Sequence, residues 1–164
     1  MSVTVMGVEP ARRHELALAD ERSRYSWEQL DPILNRAINA LRALPLGETK
    51  RVAVYAPNSV ETVIAYVAAL EAGLSSVPVS FHLTSDEVGY ILDHSRAGAL
   101  LVSEETADAG LAAATGIGTV IGWRCRPREG LTSWEDWLSA ASEDAPPTAV
   151  KLPGDCRPLA RSRR

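Results

Sequence analysis

Short apolar runs alternate along this chain with longer stretches of helical spacing. The short runs are rich in β-branched and aliphatic residues and end at turn-forming residues, so we predict strands there. They cover residues 16–19, 51–56, 76–80, 99–102 and 119–121. Pro78 restricts the third of these strands to an edge or a bulge of a sheet, because proline donates no backbone hydrogen bond.

The first helical stretch has two alternative starts. Ser26 with Gln29 fits a capping box, whereas Asp31 followed by Pro32 offers an N-cap and a proline at the first helical position. We favour a turn at residues 27–30 and a helix that begins at Pro32. On either reading one face of the helix is apolar and carries Leu30, Ile33, Leu34, Ala37, Ile38, Leu41 and Leu44. Polar residues face elsewhere, namely Asn35, Arg36, Asn39 and Arg42.

Capping residues mark most of the remaining helices. The caps are Ser59 for a helix through Ala72, Thr84 with Glu87 for the next, and Thr132 or Ser133 for a short helix near residue 140. Residues 104–114 form a further predicted helix. Strands that alternate with helices indicate βαβ units. The predicted fold class is therefore α/β, with a mostly parallel sheet flanked by helices.

The end of the chain differs in composition from the rest. Apolar periodicity is lost from about residue 143, so we predict an α/β domain at residues 1–145 and a linker with a disordered basic tail at 146–164. Residues 151–164 carry a net charge of +4 and the whole chain −4, which leaves −8 on residues 1–150. Phosphate binding needs a basic face, so this acidic body argues against a nucleic-acid partner.

Several features favour a cytoplasmic protein. No run of about 18 apolar residues is available for a membrane span, and the first residues lack the apolar core of a signal peptide. Cys125 and Cys156 have no second cysteine or histidine near enough for a metal site. We interpret them as unpaired thiols in a reducing compartment.

Few residues qualify for chemistry. The glycine-rich stretch at residues 115–122 stands before and within a predicted strand, whereas a phosphate loop needs its glycines after one, so we interpret it as a turn. His14 and His94 are expected at the surface or at helix ends. His82 lies between a strand end and a helix start, where parallel-sheet proteins place ligands. No catalytic triad and no metal site can be assembled, so we predict no catalytic residue.

Three stretches in order resemble the N-terminal portion of the adenylate-forming enzymes, the AMP-binding acyl-CoA synthetases and their relatives. The first is YSWEQL at residues 25–30, with Trp27 and Gln29 where the family usually has Tyr and Glu. The second is LEAG at residues 70–73, which runs on to a Val-Pro pair at 77–78. The third is LTSDEVGYILDHSRAGALLVSEE at residues 83–105. The resemblance covers roughly residues 17–154.

The resemblance implies ATP-dependent activation of a carboxylic acid, followed by transfer of the acyl group to coenzyme A, with Mg²⁺ at the ATP phosphates. It also implies that Lys151–Asp155 is the approach to a phosphate-binding loop, yet no Ser/Thr/Gly-rich loop follows within the 164 residues. We therefore expect an inactive N-terminal fragment of a fatty or aryl acid–CoA ligase that binds no cofactor by itself. By resemblance His82 would face the phosphates of coenzyme A.

Two other functions remain open from the sequence. The chain could be the N-terminal half of a split enzyme, which would need a complementing C-terminal chain. It could also be a non-catalytic interaction module that associates with itself. A large exposed apolar patch would favour either of these.

Overall fold

The computed structural model describes residues 8–147. A short 3₁₀ helix at Pro10–Arg12 precedes an antiparallel hairpin of β1 (Leu16–Ala19) and β2 (Arg24–Ser26). Five further strands form one sheet: β3 (Arg51–Tyr55), β4 (Ser75–Val79), β5 (Ala99–Ser103), β6 (Val120–Trp123) and β7 (Leu131–Ser133). The helices between them are α1 (Trp27–Ala43), α2 (Val60–Glu71), α3 (Ser85–Ser95), α4 (Ala107–Ala113) and α5 (Trp134–Ser139).

The five-stranded sheet is parallel throughout, in the order β4-β3-β5-β6-β7. This arrangement confirms the predicted α/β class with a parallel sheet flanked by helices. The strand with Pro78 lies at one edge, where its missing N–H removes no ladder bond to an outer neighbour. β2 and β7 were not predicted, because each has only three residues and neither is fully buried.

Successive residues of the central strands enter two separate cores, as the two-residue period of a strand requires. Val52, Val54 and Leu101 pack in one cluster with residues of α1, α2 and α5. Ala53, Leu100 and residues of α3 and α4 form the other cluster. Helices therefore cover both faces of the sheet, and the strands read as continuous apolar runs because both of their faces are buried.

The preferred start of α1 is wrong. The helix begins at Trp27 because Ser26 and Gln29 form the capping box: the Ser26 N–H donates to Oε1 of Gln29 at 2.9 Å, and the Gln29 N–H donates to Oγ of Ser26 at 3.4 Å. The two bonds satisfy backbone donors that a turn would leave free. Pro32 lies inside the helix, where it removes the backbone hydrogen bond to the carbonyl of Glu28 and crowds that carbonyl. Asn35 is also buried rather than turned away from the core.

The other helices start largely as predicted, with one exception. Ser59 accepts a hydrogen bond from the Thr62 N–H at the start of α2, and Thr84 forms a capping box with Glu87 at the start of α3. α4 begins three residues later than predicted, because the hydroxyl of Thr106 donates to the carbonyl of Tyr55 and accepts from the Ser103 N–H. These bonds hold residues 104–106 in a turn against the end of β3.

The predicted tail falls almost wholly on residues 148–164, which lie outside the described part, as does Cys156. The domain boundary at 145/146 stays a prediction. Within residues 8–147, no helix combines the length and the apolar character that crossing a bilayer requires.

Candidate functional site at the carboxyl edge of the sheet

A polar cleft of about 300 Å³ opens where β3, β5 and β6 end. Open parallel sheets bind ligands at this edge, because the loops after the strands converge there. The N-terminus of α2 forms one wall and the β1–β2 turn forms another. The lining residues are Asp20, Glu21, Arg22, Pro57, Asn58, Ser59, Ser103, Glu105, Trp123 and Arg124.

Arg124 is the central cation of this cleft. It follows β6 directly and has a φ of 57°, a left-handed conformation that non-glycine residues seldom adopt and that often marks a constrained site. Its guanidinium donates to Asp20 Oδ2 at 2.7 Å and to Glu61 Oε1 at 3.0 Å. Oε2 of Glu61 lies 2.9 Å from Nη2 of Arg124, at an angle that makes an ion pair but no hydrogen bond. The side chain is 21% exposed, so the pairing is only partly screened by solvent.

Asp20 ties the hairpin turn to α2. Its Oδ2 accepts from the Val60 N–H at 3.0 Å, and its Oδ1 accepts from the N–H groups of Arg22 and Ser23 at 2.8 and 2.7 Å. The bond from Val60, together with those from the turn and from Arg124, holds the pKa of Asp20 well below its usual range despite the opposing effect of burial. Asp20 is therefore ionised at neutral pH and is unsuited to proton transfer there.

Two further polar residues of the cleft, Glu105 and Ser59, also have partners within the chain. A hydrogen bond from the Ser103 side chain is the main cause that lowers the pKa of Glu105. Ser59 is engaged with Thr62 at the start of α2. Asp20 and Glu105 thus remain charged, and the hydroxyls of Ser59 and Ser103 are committed to local structure. This arrangement can hold segments together electrostatically, and it offers no activated nucleophile with an adjacent base.

His82 lies in the loop that follows the edge strand β4, at the same edge of the sheet as the cleft. The imidazole is exposed, and its centroid lies 3.9 Å from that of Phe81. The loop is anchored from the core, since the hydroxyl of Tyr55 donates to the carbonyl of Leu83 at 2.6 Å. His82 is not among the residues that line the cleft. Its expected role toward coenzyme A stays a prediction.

The other two histidines take the surface positions expected for them. His14 lies 2.9 Å from Glu28 and is 69% exposed. His94 belongs to the last turn of α3, where its ring stacks on Tyr90 at 5.8 Å.

The glycine-rich stretch is a turn, as predicted. It connects the end of α4 to the start of β6, and Gly116 has a φ of 96° that suits glycine. The stretch therefore leads into the amino end of β6, whereas the cleft lies at the carboxyl end.

Sequence reasoning missed the ion-pair cluster at the cleft, which consists of Arg124, Asp20 and Glu61. Glu61 and Asp20 lie 63 and 104 positions before Arg124, so no local motif joins them. One signal was available: Arg124 follows a predicted strand, and Glu61 lies at the start of a predicted helix that follows a different predicted strand. Because the loops after parallel strands meet at one edge, these two positions could have been paired.

Comparison with known proteins gives one family. The profile of the family described as "AMP-binding enzyme" matches residues 9–155. The long-chain-fatty-acid–CoA ligase FadD13 of Mycobacterium tuberculosis is 33% identical over 135 residues, which are 80% of this chain and 25% of that ligase.

Solved structures agree with this match. A benzoate CoA ligase from Burkholderia xenovorans superposes with a TM-score of 0.68 at 25% identity, over 87% of this chain and 28% of that one. An anthranilate CoA ligase, AuaEII, gives a TM-score of 0.73 at 22% identity over the same shares, which shows the common fold. The chain thus spans about a quarter of the length of each protein compared.

Proposed function

Since this chain belongs to the family of AMP-binding enzymes, we propose that it forms the N-terminal α/β subdomain of an acid–CoA ligase. Such a ligase activates a carboxylic acid with ATP and Mg²⁺ and then transfers the acyl group to coenzyme A. The observation that carries the proposal is the match over residues 9–155, together with the superposition of the parallel sheet on CoA ligases. Cys125, a free thiol, supports a cytoplasmic location.

The proposed substrate is a carboxylic acid of the fatty or aryl class. The M. tuberculosis relative is named for long-chain fatty acids, and the superposed structures are named for benzoate and anthranilate. Three carboxylates line the described cleft, those of Asp20, Glu21 and Glu105, so its lining is charged rather than apolar. We therefore assign the choice between an aliphatic and an aromatic acid to parts of the family fold that these residues do not include.

We further propose that these 164 residues catalyse no adenylation by themselves, because the residues present do not fit ATP. The guanidinium of Arg124, which a phosphate would need, is already paired with Asp20 and Glu61. Arg22 is the other cation of the lining, but Glu21 and Glu105 outnumber it, so the cleft stays net negative and a triphosphate would be repelled there. Within residues 8–147, no group of three or more His, Cys, Asp or Glu is arranged to hold a metal ion.

Equilibrium dialysis of the chain against radiolabelled ATP with Mg²⁺ tests this proposal. We expect no saturable binding up to millimolar ATP, while FadD13, assayed in parallel, supplies the positive control. Saturable binding to the chain that is lost in the Arg124→Met variant would contradict the proposal and would place the nucleotide in the cleft.

We also propose that His82 faces the phosphates of coenzyme A in the complete ligase. The loop at His82 is exposed and held in place by Tyr55, so it offers a fixed surface at the sheet edge. The test is a titration of the chain with coenzyme A, followed through the imidazole resonances in NMR spectra. A shift of the His82 signal alone would support the contact and would contradict the expectation that this chain binds no cofactor by itself, whereas equal shifts of the His14, His82 and His94 signals would reject a specific contact.

A second candidate function, an interaction module, is favoured by the exposed face of α2. Val63 is 41% and Leu70 is 54% exposed, and their seven-residue spacing puts them on one face of the helix. Val63 also lines an apolar groove with Leu18, Trp27 and Val67, and a contiguous exposed apolar surface is typical of a face that another chain covers. We propose a second copy of this chain as the occupant, and sedimentation velocity tests it. A dimer that the Val63→Asp variant abolishes is expected, and a monomer at every concentration would refute it.

A further inference from the structure

The polar face of α1 holds an irregular segment at the end of the described chain. This segment, residues 139–147, is called the strap below. It runs from the end of α5 across α1. The polar side chains recur at helical spacing and so lie on one face of the helix: Asn35, Arg36, Asn39 and Arg42. From their spacing alone these residues were expected only to face away from the apolar stripe.

Each of these side chains donates to the strap. Asn35 Nδ2 donates to the carbonyl of Glu143 at 3.0 Å. Nη1 of Arg36 donates to the carbonyl of Ala141 at 3.0 Å and, more weakly, to that of Ser139 at 3.4 Å. Asn35 is buried and Arg36 is half-buried, so neither is fully hydrated in competition with these bonds.

The second half of the helix continues the pattern. Nδ2 of Asn39 donates to the carbonyls of Ser142 and Asp144 at 2.9 and 3.0 Å. Nη1 of Arg42 donates to the carbonyl of Pro147 at 3.3 Å, and its Nη2 donates to the carbonyl of Glu71 at 3.2 Å. One guanidinium therefore joins the strap to the last residue of α2.

The acceptors are almost all backbone atoms. Six hydrogen bonds from α1 end on strap carbonyls, and one ends on a strap side chain, where Arg36 Nη2 lies 2.8 Å from Oε2 of Glu143. Glu143 is 62% exposed there, so this ion pair contributes little. A helix that contacts carbonyls recognises the path of the backbone and is nearly indifferent to the strap's side chains.

We propose that the polar face of α1 is a clamp that fixes where the chain leaves the sheet domain. The clamp places Pro147 beside the C-terminal end of α2, whatever side chains the strap carries. Any segment that follows Pro147 thus starts from a set position on the domain. This inference concerns contacts within residues 27–147 and does not rest on the proposed ligase function.

Limited proteolysis of the full 164-residue chain tests the clamp. A protease that cuts before aspartate reports the opening of the strap at the Glu143–Asp144 bond. Its rate follows the population of the open form when opening is fast compared with cleavage. Each rate is divided by the rate for the same variant unfolded in urea, which removes the effect of a changed cleavage sequence.

The variants separate helix donors from strap side chains. Asn39→Ala removes two hydrogen bonds, and we expect cleavage about tenfold faster. Arg42→Met should give a smaller increase, and Arg42→Lys, which retains a donor, should restore part of the protection. Glu143→Ala should leave the rate within about twofold of the parent, because the clamp does not depend on that side chain. Arg12→Met, which removes an exposed arginine outside α1 and the strap, is the matched control.

The proposal is overturned if Glu143→Ala opens the strap as much as Asn39→Ala does, because side-chain recognition would then hold it. It is also overturned if Asn39→Ala and Arg42→Met both leave the rate unchanged. Should the alanine variant fail to fold, the comparison of Arg42→Met with Arg42→Lys decides, because these two long side chains differ in whether they can donate to Pro147.

Discussion

The ion-pair cluster at the carboxyl edge gives the sharpest test of how this domain is held together. Arg124→Met removes the guanidinium that pairs with Asp20 and Glu61. Methionine is a long, unbranched side chain, so a φ of 57° strains the backbone to the same extent in the variant as in the parent. The substitution therefore leaves the two carboxylates in place without their cation.

The magnitude follows from the burial of the three partners. The exposed fractions are 19% for the side chain of Asp20, 12% for that of Glu61 and 21% for that of Arg124, so the network is largely withdrawn from water. Removal of one member of a buried pair costs about 3–5 kcal/mol, because an unpaired charge stays behind. With this residual exposure we expect the lower end, about 3 kcal/mol. For a chain of this size that lowers Tm by about 6–12 °C.

The assay is urea denaturation followed by circular dichroism, with a double-mutant cycle. Arg124→Met, Asp20→Asn and the double variant should give a coupling free energy of about 1–3 kcal/mol, as expected for residues in one network. Arg12→Met is the control, because Arg12 and its partner Glu15 are 60% and 54% exposed, so this pair is solvated. The control should leave the free energy of unfolding nearly unchanged. A loss for Arg124→Met no larger than the control's would refute the reasoning.

The same cluster makes a prediction about pH. Because the pKa of Asp20 is lowered on folding, its stabilisation is present above its unfolded value of about 4 and is lost as the pH falls below it. Between about pH 6 and about pH 3, the parent should lose more free energy of unfolding than Asp20→Asn, which has no carboxyl at that position. Parallel slopes in urea titrations across this range would contradict the assignment.

Three further predictions concern packing, capping and thiol reactivity. Gly98→Ala should lower the free energy of unfolding by about 1–3 kcal/mol, measured by urea denaturation. The added Cβ would lie 2.7 Å from the Cα of Leu46, a backbone atom that cannot easily move. An unchanged free energy of unfolding would show that the two segments are not in contact. Ser26→Ala should cost about 1 kcal/mol and increase amide exchange in the first turn of α1, and a change confined to other helices would argue against the capping box. In a Cys156→Ser background, Cys125 should react slowly with Ellman's reagent at neutral pH, because burial raises its pKa to about 11, and fast reaction in the folded protein would contradict this.

Much of the fold followed from local signals. Val52, Ala53 and Val54 form a continuous apolar run because the strand is buried on both faces. The parallel sheet was predicted from the alternation of strands with helices. Ser59 and Thr84 marked helix starts that the structure confirms. α1 was misplaced at its start because two sound capping signals stood five residues apart, and local rules do not rank a complete capping box against a proline.

The site and the strap depended on tertiary contacts that no local pattern carries. In the sequence Asp20 looks like a common turn residue. Only the fold brings it beside Arg124, which lies 104 positions later in the chain. The polar face of α1 looked solvated because asparagine and arginine usually are. In the structure Asn39 instead donates to carbonyls 103 and 105 positions away. Every residue has a backbone carbonyl, so the sequence does not show which ones accept a hydrogen bond.

The most direct test of the proposed function is ATP–pyrophosphate exchange by the purified 164-residue chain with a panel of fatty and aryl acids. The chain belongs to the family of AMP-binding enzymes, and we propose that these 164 residues catalyse no adenylation by themselves. We expect no exchange above a protein-free blank for any acid, while FadD13 exchanges under the same conditions. Exchange that depends on an added carboxylic acid would contradict this and would place the adenylation site within these residues.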